Sequence, residues 1–237
     1  MVSVGTNNER ARAAWIEKTL KRIPPGARIL DAGAGERQFK NLCSHLRYVA
    51  QDFAQYDGEG DGVGLQTRAW DQRQLDIVSD IASIPEPDSS FDAVMCTEVL
   101  EHIPHPIAAL QEFSRLLVPG GHLLLTAPFC SLTHFAPHYY YTGFSHYFYE
   151  HYLPLYGFEI VDFETNGNFY EYVAQELRRV LWTAEKYRSG RLRLWEKPAL
   201  RLLLRALDRL SRHDQGSAEL LNFGCHVFAK KRLTQAF

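Results

Sequence analysis

The sequence predicts an α/β fold in which a mostly parallel sheet is covered by helices on both faces. Short apolar runs alternate with helical or long connecting segments through the first 130 residues of the 237-residue chain. Strands that are buried on both faces are continuous apolar runs, and parallel neighbours need long crossover connections. A glycine-rich turn follows the first strand directly, as in sheets that bind ligands at the carboxyl ends of their strands.

The predicted elements begin with a helix over 8–22, which Asn7 or Asn8 caps and which places Ile16 and Leu20 on one apolar face. An Ile-Pro-Pro-Gly run ends this helix, because proline cannot continue it. Four short apolar strands are then expected at 27–31, 48–52, 75–78 and 91–96.

A second helix is predicted over 106–117, with proline in its first turn and Leu110, Phe113 and Leu117 on its buried face. A Pro-Gly-Gly turn leads into a fifth strand at 122–127. The last two strands, at 158–163 and 221–229, are separated by about 57 residues. This spacing predicts a helical excursion attached to the sheet.

The composition argues against several classes of protein. Apolar residues make up 46% and charged residues 23%, as in ordinary globular proteins. There is no run of about 18 apolar residues to predict a membrane span, and the amino-terminal residues lack the apolar core of a secretion signal. The four cysteines form no CxxC pair, which argues against a disulfide framework or a zinc site. We therefore expect a cytoplasmic location.

Two local biases stand out against this ordinary average. Half of the 30 aromatic residues lie within 135–172. Segment 176–213 contains eleven basic and four acidic residues, so it carries +7, whereas the whole chain carries −2. The overall charge argues against a general nucleic-acid-binding protein.

Acidic residues stand at the ends of the first three strands. Asp31 precedes the turn Gly33-Ala34-Gly35, and Asp52 and Asp80 follow the second and third strands. A dinucleotide fingerprint would need a third glycine, and these acids would repel a pyrophosphate. They suit a nucleoside ligand that carries an ammonium or sulfonium charge, with Asp52 accepting from the ribose hydroxyls.

Three segments together resemble the class I S-adenosylmethionine-dependent methyltransferases, in particular their small-molecule branch. They are ILDAGAGE at 29–36, YVAQDF at 48–53 and the run at 76–129 that contains FDAVMCTEVLEH. The resemblance implies a Rossmann-like, doubly wound sheet of seven strands in the order 3-2-1-4-5-7-6. It places the last strand antiparallel, with a helical insertion before it. The implied cofactor is S-adenosyl-L-methionine, which yields S-adenosyl-L-homocysteine.

The resemblance also assigns cofactor contacts. The turn would hold the methionine end, Asp52 the ribose and Asp80 with Ile81 the adenine, while residues 96–97 would pass beneath the sulfonium. Arg37 stands where the family often has glycine, and it either pairs with the methionine carboxylate, obstructs the site or points to solvent. The expected cofactor-binding residues are Asp31, Ala32, Gly33, Gly35, Arg37, Asp52, Phe53, Asp80, Ile81, Cys96 and Thr97.

The loop after the fifth strand faces the transferred methyl group in this fold. His134 and His138 are candidate general bases for a hydroxyl acceptor, and His102 is a weaker one that can instead be a buried or capping residue. No metal is expected, because Pro137 interrupts the histidine pair and no third ligand is near it in sequence. The aromatic segment either contacts the acceptor or forms a hydrophobic lid. The predicted substrate contacts are Tyr139, Tyr140, Tyr141, Phe144 and Asn166.

The basic excursion contains an amphipathic helix, with arginines at 201, 205, 209 and 212 beside a leucine-rich face. We expect this helix either to pack on its own domain or in a homodimer, or to contact an anionic membrane or a lipid-linked acceptor through 176–213. RNA contact is the remaining alternative, although the segment lacks the aromatic interleaving of a nucleic-acid platform.

The sequence therefore predicts one methyltransferase domain, 1–237. Its parts are an N-terminal helix at 1–24, a cofactor-binding core at 25–130, an acceptor lid with the sixth strand at 131–169, the excursion at 170–215 and the last strand at 221–230. The expected acceptor is a hydroxyl of a sugar, a polyketide or another secondary metabolite. The alternatives are a catalytically silent cofactor-binding subunit, a nicotinamide-dependent dehydrogenase and an RNA methyltransferase.

Overall fold

The computed structural model describes residues 2–233. These residues group into two compact units. The sheet unit consists of residues 14–164 and 225–233, and the hairpin unit consists of residues 2–13 and 165–224. The prediction of a single domain stays a prediction, and the two units are described separately below.

The sheet has seven strands in the order β3-β2-β1-β4-β5-β7-β6. This order and the mixed sheet confirm the predicted fold class. The strands are β1 (Arg28–Ala32), β2 (Arg47–Asp52), β3 (Ile77–Val78), β4 (Phe91–Thr97), β5 (Leu117–Pro128), β6 (Phe158–Asn166) and β7 (Gly224–Lys231). The pairs β1–β2, β1–β4, β2–β3 and β4–β5 are parallel, so their carboxyl ends meet at one edge.

The helices are α1 (Asn8–Leu20), α2 (Pro106–Leu116), α3 (His146–Leu155), α4 (Phe169–Lys186) and α5 (Glu196–Arg212). Helix α2 supports the centre of the sheet, because its Ala109, Leu110 and Phe113 are fully buried in the same core cluster as Val94 and Leu123 of the strands. Their spacing of one, three and four residues gives α2 a single apolar face.

The chain departs from the predicted elements at several places. Leu117, predicted on the helix, begins β5, and this strand continues through the Pro-Gly-Gly segment that was predicted as a turn. After β1 it forms turns and a short 3₁₀ helix at Lys40–Cys43 where a doubly wound fold usually has an α-helix. The aromatic segment contains helix α3. The excursion consists of two helices, because Arg188 and Gly190 adopt positive φ angles of 54° and 107° between them, which ends α4.

The hairpin unit has a small core of its own. Leu204 and Leu207 of α5 are buried with Ala174 of α4 and Val4. The side chain of Asn168 accepts a hydrogen bond from the Glu171 backbone N–H and so caps α4. These contacts orient the two helices within this unit.

None of the helices within residues 2–233 is long and apolar enough to cross a membrane.

Candidate functional site

A cavity of about 560 Å³ opens in the sheet unit. Its polar floor comes from the residues that directly follow the parallel strands, namely Gly33 after β1, Asp52 at the end of β2, Asp80 after β3 and Glu98 after β4. Parallel pairing brings these strand ends together, as the sequence predicts.

The turn after β1 is held against the end of β2. The Gly35 N–H donates to one Asp52 carboxylate oxygen at 2.9 Å, and the Ala54 N–H donates to the other at 2.9 Å. Gly33 has a φ of +78°, and a Cβ at this position would lie 2.5 Å from a methyl carbon of Val99. Glycine is therefore required by both the backbone angle and the close approach of Val99.

Asp31 is buried below this turn and accepts a hydrogen bond from the Tyr48 hydroxyl at 2.5 Å. Burial raises the pKa of Asp31 to about 7, the hydrogen bond from Tyr48 opposes this rise, and the charge of Asp52 adds to it. A cation bound nearby would favour the ionised carboxylate and lower this pKa again.

The predicted cofactor residues fall into two groups. Gly33, Asp52, Phe53, Asp80 and Ile81 line the cavity, whereas Asp31, Ala32, Gly35, Arg37, Cys96 and Thr97 are not among its lining residues. Asp31, Ala32, Gly35 and Cys96 are buried around it. The guanidinium of Arg37 donates to Gln74 at 2.6 Å, and Arg37 itself has a positive φ of 60°.

Two loops pair with each other beside an aromatic wall over the cavity. We call residues 58–66 the glycine loop and residues 130–138 the histidine loop. The Leu65 N–H donates to the Thr133 carbonyl, and the Phe135 N–H donates back to the Leu65 carbonyl. Tyr56, Trp70 and Phe135 pack their rings together at centroid distances of 4.9 to 5.4 Å.

Three polar side chains converge behind this wall. The Glu101 carboxylate has no exposed surface, and its Oε1 lies 3.6 Å from Nε2 of His102 and 3.8 Å from Nε2 of His134. The other ring nitrogen of each histidine is engaged by the backbone, Nδ1 of His102 with the His138 carbonyl at 2.6 Å and Nδ1 of His134 with the Leu132 carbonyl at 2.8 Å.

Burial shapes the protonation of this cluster. It raises the pKa of Glu101, and the neighbouring His134 opposes that rise. Burial and the neighbouring His134 lower the pKa of His102 to about 3, so this ring is neutral at neutral pH. Burial by itself lowers the pKa of His134, but Glu101 and the Leu132 carbonyl reverse this effect and raise it.

The residues predicted for the acceptor are distributed unevenly. His102, His138 and Tyr140 line the cavity, and His138 meets Phe53 edge to face at 4.9 Å. The remaining ones are engaged elsewhere. The hydroxyl of Tyr139 donates to the Ser131 carbonyl, that of Tyr141 donates to the Pro104 carbonyl, Phe144 is buried in the core, and the Asn166 amide donates to Asn8.

Several residues of the site were not predicted. Tyr56 and Trp70 lie in the long connection after β2, which has no periodic pattern to locate them. Glu101 stands in the quoted LEH run beside His102, but only the fold brings His134 next to it, 33 residues along the chain. The glycines at 60 and 64 are a sequence signal for the close approach of the two loops, because a Cβ there would lie 2.1 Å and 2.3 Å from backbone oxygens of the histidine loop.

The fold and this edge of strand ends define a class I S-adenosylmethionine-dependent methyltransferase, as the resemblance implied. A family model described as a methyltransferase domain matches residues 5–207. The chain belongs to this family.

The curated relatives match part of the chain. A ubiquinone biosynthesis O-methyltransferase of Xanthomonas oryzae pv. oryzae (strain PXO99A) is 36% identical over 104 residues, which are 43% of this chain and 43% of the relative. A demethylmenaquinone methyltransferase of Clavibacter sepedonicus is 33% identical over 129 residues, 53% of this chain and 49% of the relative. The chain thus spans about half the length of the curated relatives it matches.

Solved structures show the same fold at low identity. The crystal structure of the cyclase SpnF superposes with a TM-score of 0.55 at 20% identity, and the match covers 97% of this chain and 84% of SpnF. A likeness at this level of identity establishes the fold and leaves the chemistry to the site.

Replacing Gly33 with alanine tests the close packing of the turn. We expect Gly33→Ala to lose about 1–2 kcal/mol of unfolding free energy from backbone strain and about 1–3 kcal/mol more from the overlap with Val99. Urea unfolding measures both losses. Gly26→Ala is the matched control, because Gly26 has a φ of +80° with nothing within 4 Å of the added Cβ. Equal losses in the two variants would contradict the packing argument.

Proposed function

We propose that the protein transfers the methyl group of S-adenosylmethionine to a hydroxyl group of a small molecule. The observation that carries the proposal is the cavity itself, in which strand-end acids and imidazoles face one space. Acids at the ends of β2 and β3 suit a charged nucleoside, and imidazoles suit removal of a proton from oxygen. The Xanthomonas relative is an O-methyltransferase, which supports the same acceptor atom.

The residues present fit the cofactor. Each Asp52 oxygen accepts one backbone N–H and keeps a lone pair for a ribose hydroxyl. Gly33 lacks the side chain that would fill the turn, and Asp80 and Ile81 line the cavity beyond Asp52. When bound, S-adenosylmethionine supplies a methyl group on a positively charged sulfur, which is already a good electrophile. The protein's task is therefore alignment and exclusion of water.

His138 is the proposed general base. It lines the cavity directly, and its edge-to-face contact with Phe53 holds the ring beside the cofactor residues. A hydroxyl acceptor must lose its proton during transfer, and a positioned base contributes about 10²- to 10⁴-fold to such a reaction. We propose an acceptor among sugars, polyketides or other secondary metabolites, enclosed by the aromatic wall.

Transfer of a tritiated methyl group from S-adenosylmethionine to a panel of hydroxylated sugars, polyketides and quinols tests this proposal. We expect transfer to at least one class and a loss of about 10²-fold or more in kcat for His138→Gln. His151→Gln is the control, because His151 is exposed on α3. Cofactor binding without transfer to any acceptor would support a silent subunit, and transfer to RNA alone would support an RNA methyltransferase.

The affinity for S-adenosylhomocysteine is expected to depend on pH through Asp31. Its pKa of about 7 means that the carboxyl is largely protonated below pH 7. Because a ligand ammonium group prefers the ionised carboxylate, affinity should fall as pH decreases below 7, approaching about tenfold per pH unit. Calorimetric titration between pH 5.5 and 8 measures this change. Asp31→Asn should bind weakly and show a flat profile, and unchanged binding in that variant would remove Asp31 from the site.

We further propose that the hairpin unit contacts an anionic membrane surface. The tip of the α4–α5 hairpin exposes large apolar side chains, with Leu194 at 87% and Trp195 at 65% exposure, and Leu202 of α5 is exposed as well. Segment 176–213 also carries the net charge of +7. Aromatic and leucine side chains flanked by arginine and lysine are typical of helices that lie in the interface of an anionic bilayer.

Co-sedimentation with vesicles tests the membrane contact. We expect binding to vesicles of phosphatidylglycerol and phosphatidylcholine, loss of that binding at high salt, and at least tenfold weaker binding for the double variant Leu194→Ser/Trp195→Ala. Leu155→Ser is the matched control, since Leu155 is 65% exposed on the sheet unit. A concentration-dependent dimer that the double variant abolishes would overturn the proposal in favour of a subunit interface.

A further inference from the structure

We propose that Glu101, His102 and His134 form a binding site for a divalent transition-metal ion such as Zn²⁺ or Mn²⁺. Each of the three residues offers one ligand atom, and these atoms lie within 4.8 Å of one another. Two imidazoles with one carboxylate are a donor set that such ions accept.

The burial of Glu101 is the first observation. Its side chain is fully buried, and neither carboxylate oxygen has a hydrogen-bond partner within residues 2–233. A buried carboxylate is costly unless it is paired or coordinates a metal. A cation bound between Glu101 and the two imidazoles removes this cost.

The direction of the histidine rings is the second observation. A carbonyl oxygen only accepts hydrogen bonds, so the contacts to the His138 and Leu132 carbonyls place the ring hydrogens on Nδ1 of His102 and of His134. In its neutral form each ring then presents a bare Nε2 lone pair to the Glu101 carboxylate. Metal-binding histidines are held in this way, with the second nitrogen donating to a backbone carbonyl.

A proton in place of the metal leaves the cluster incomplete. A single proton, carried by either His134 or Glu101, can form one hydrogen bond between these two side chains. Nε2 of His102 is also buried and without a hydrogen-bond partner among the described residues, and it would still face a carboxylate. One cation satisfies all three groups together.

The size of the space agrees with an ion. Bonds of about 2.1 Å in tetrahedral geometry separate neighbouring ligand atoms by about 3.4 Å. The Oε1 atom of Glu101 lies 3.6 Å from Nε2 of His102 and 3.8 Å from Nε2 of His134. The side chains of His102 and His134 are 12% and 18% exposed, which gives the ion a route of entry.

Three protein ligands leave a coordination position open, as in catalytic sites. This role rests on the proposed function, whereas binding of the ion does not. A bound ion would lower the pKa of an acceptor hydroxyl that approaches it. The hydroxyl proton passes to His138, the oxygen electron pair forms the new C–O bond, and the C–S bond breaks with its electron pair going to sulfur.

The expectation that no metal binds considered only ligands near His134 in sequence. Glu101 and His102 come instead from the 3₁₀ turn at Leu100–His102 that follows β4. The parallel pairing of β4 with β5 places this turn beside the histidine loop.

The metal content and metal affinity of the untagged full-length protein test the inference. After dialysis against a chelator, calorimetric titration with Zn²⁺ and with Mn²⁺ should show one site per chain for at least one of them. Glu101→Gln and His134→Ala should each weaken binding by about 10- to 100-fold, a loss typical of a damaged metal site. His151→Ala is the control and should bind as the wild type does.

The outcomes separate this inference from the proposed function. Binding without methyl transfer to any acceptor keeps the metal site and overturns the proposed function. Methyl transfer by protein that binds neither ion overturns the metal site and leaves a proton shared by Glu101 and His134. Equal affinity in wild type and His134→Ala also overturns it. Circular dichroism of each variant shows whether weaker binding comes from a lost ligand or from a lost fold. His134→Ala is included because it keeps the buried Glu101 carboxylate.

Discussion

The in-register parallel pairing of β1 with β2 and β4 is the constraint on which the site depends. Asp31 is paired with Ala50 on one side and with Met95 on the other, so the three strands end at the same edge. Polar groups that are far apart in sequence therefore meet at this edge. The apolar interior of the strands and α2 fixes this register, because a shift of one residue would turn buried side chains to the opposite face.

The sequence was sufficient for those parts of the fold that are encoded locally. Apolar runs locate the strands, and the acid or glycine after each run locates the polar floor of the cavity, including Asp52 and Asp80. The wall and the histidine cluster were not predictable in this way. Leu65 meets Thr133 through backbone hydrogen bonds between two aperiodic loops, and Glu101 meets His134 only because β4 lies beside β5. Such long-range contacts leave no period in the sequence.

The sequence and structure comparisons cover different shares of the chain. Identity with the curated relatives is confined to about half of their length, whereas the fold matches nearly the whole chain. A methyltransferase core binds the same cofactor in many proteins, and the segments around it decide what else is bound. In this chain, Phe135 and His138 of the histidine loop lie among the residues that line the cavity.

The backbone pairing between the glycine loop and the histidine loop has a thermodynamic consequence. The first loop lies in the connection that follows β2, which ends at Asp52, and the second carries His138. Because the loops share hydrogen bonds, a ligand that orders one of them also reduces the entropy that the other still has to lose. Such linkage is reciprocal. If one ligand orders the glycine loop and another orders the histidine loop, each strengthens the binding of the other by the same factor. The pairing of Leu65 with Thr133 and Phe135 would thus make the binding of the two proposed substrates cooperative.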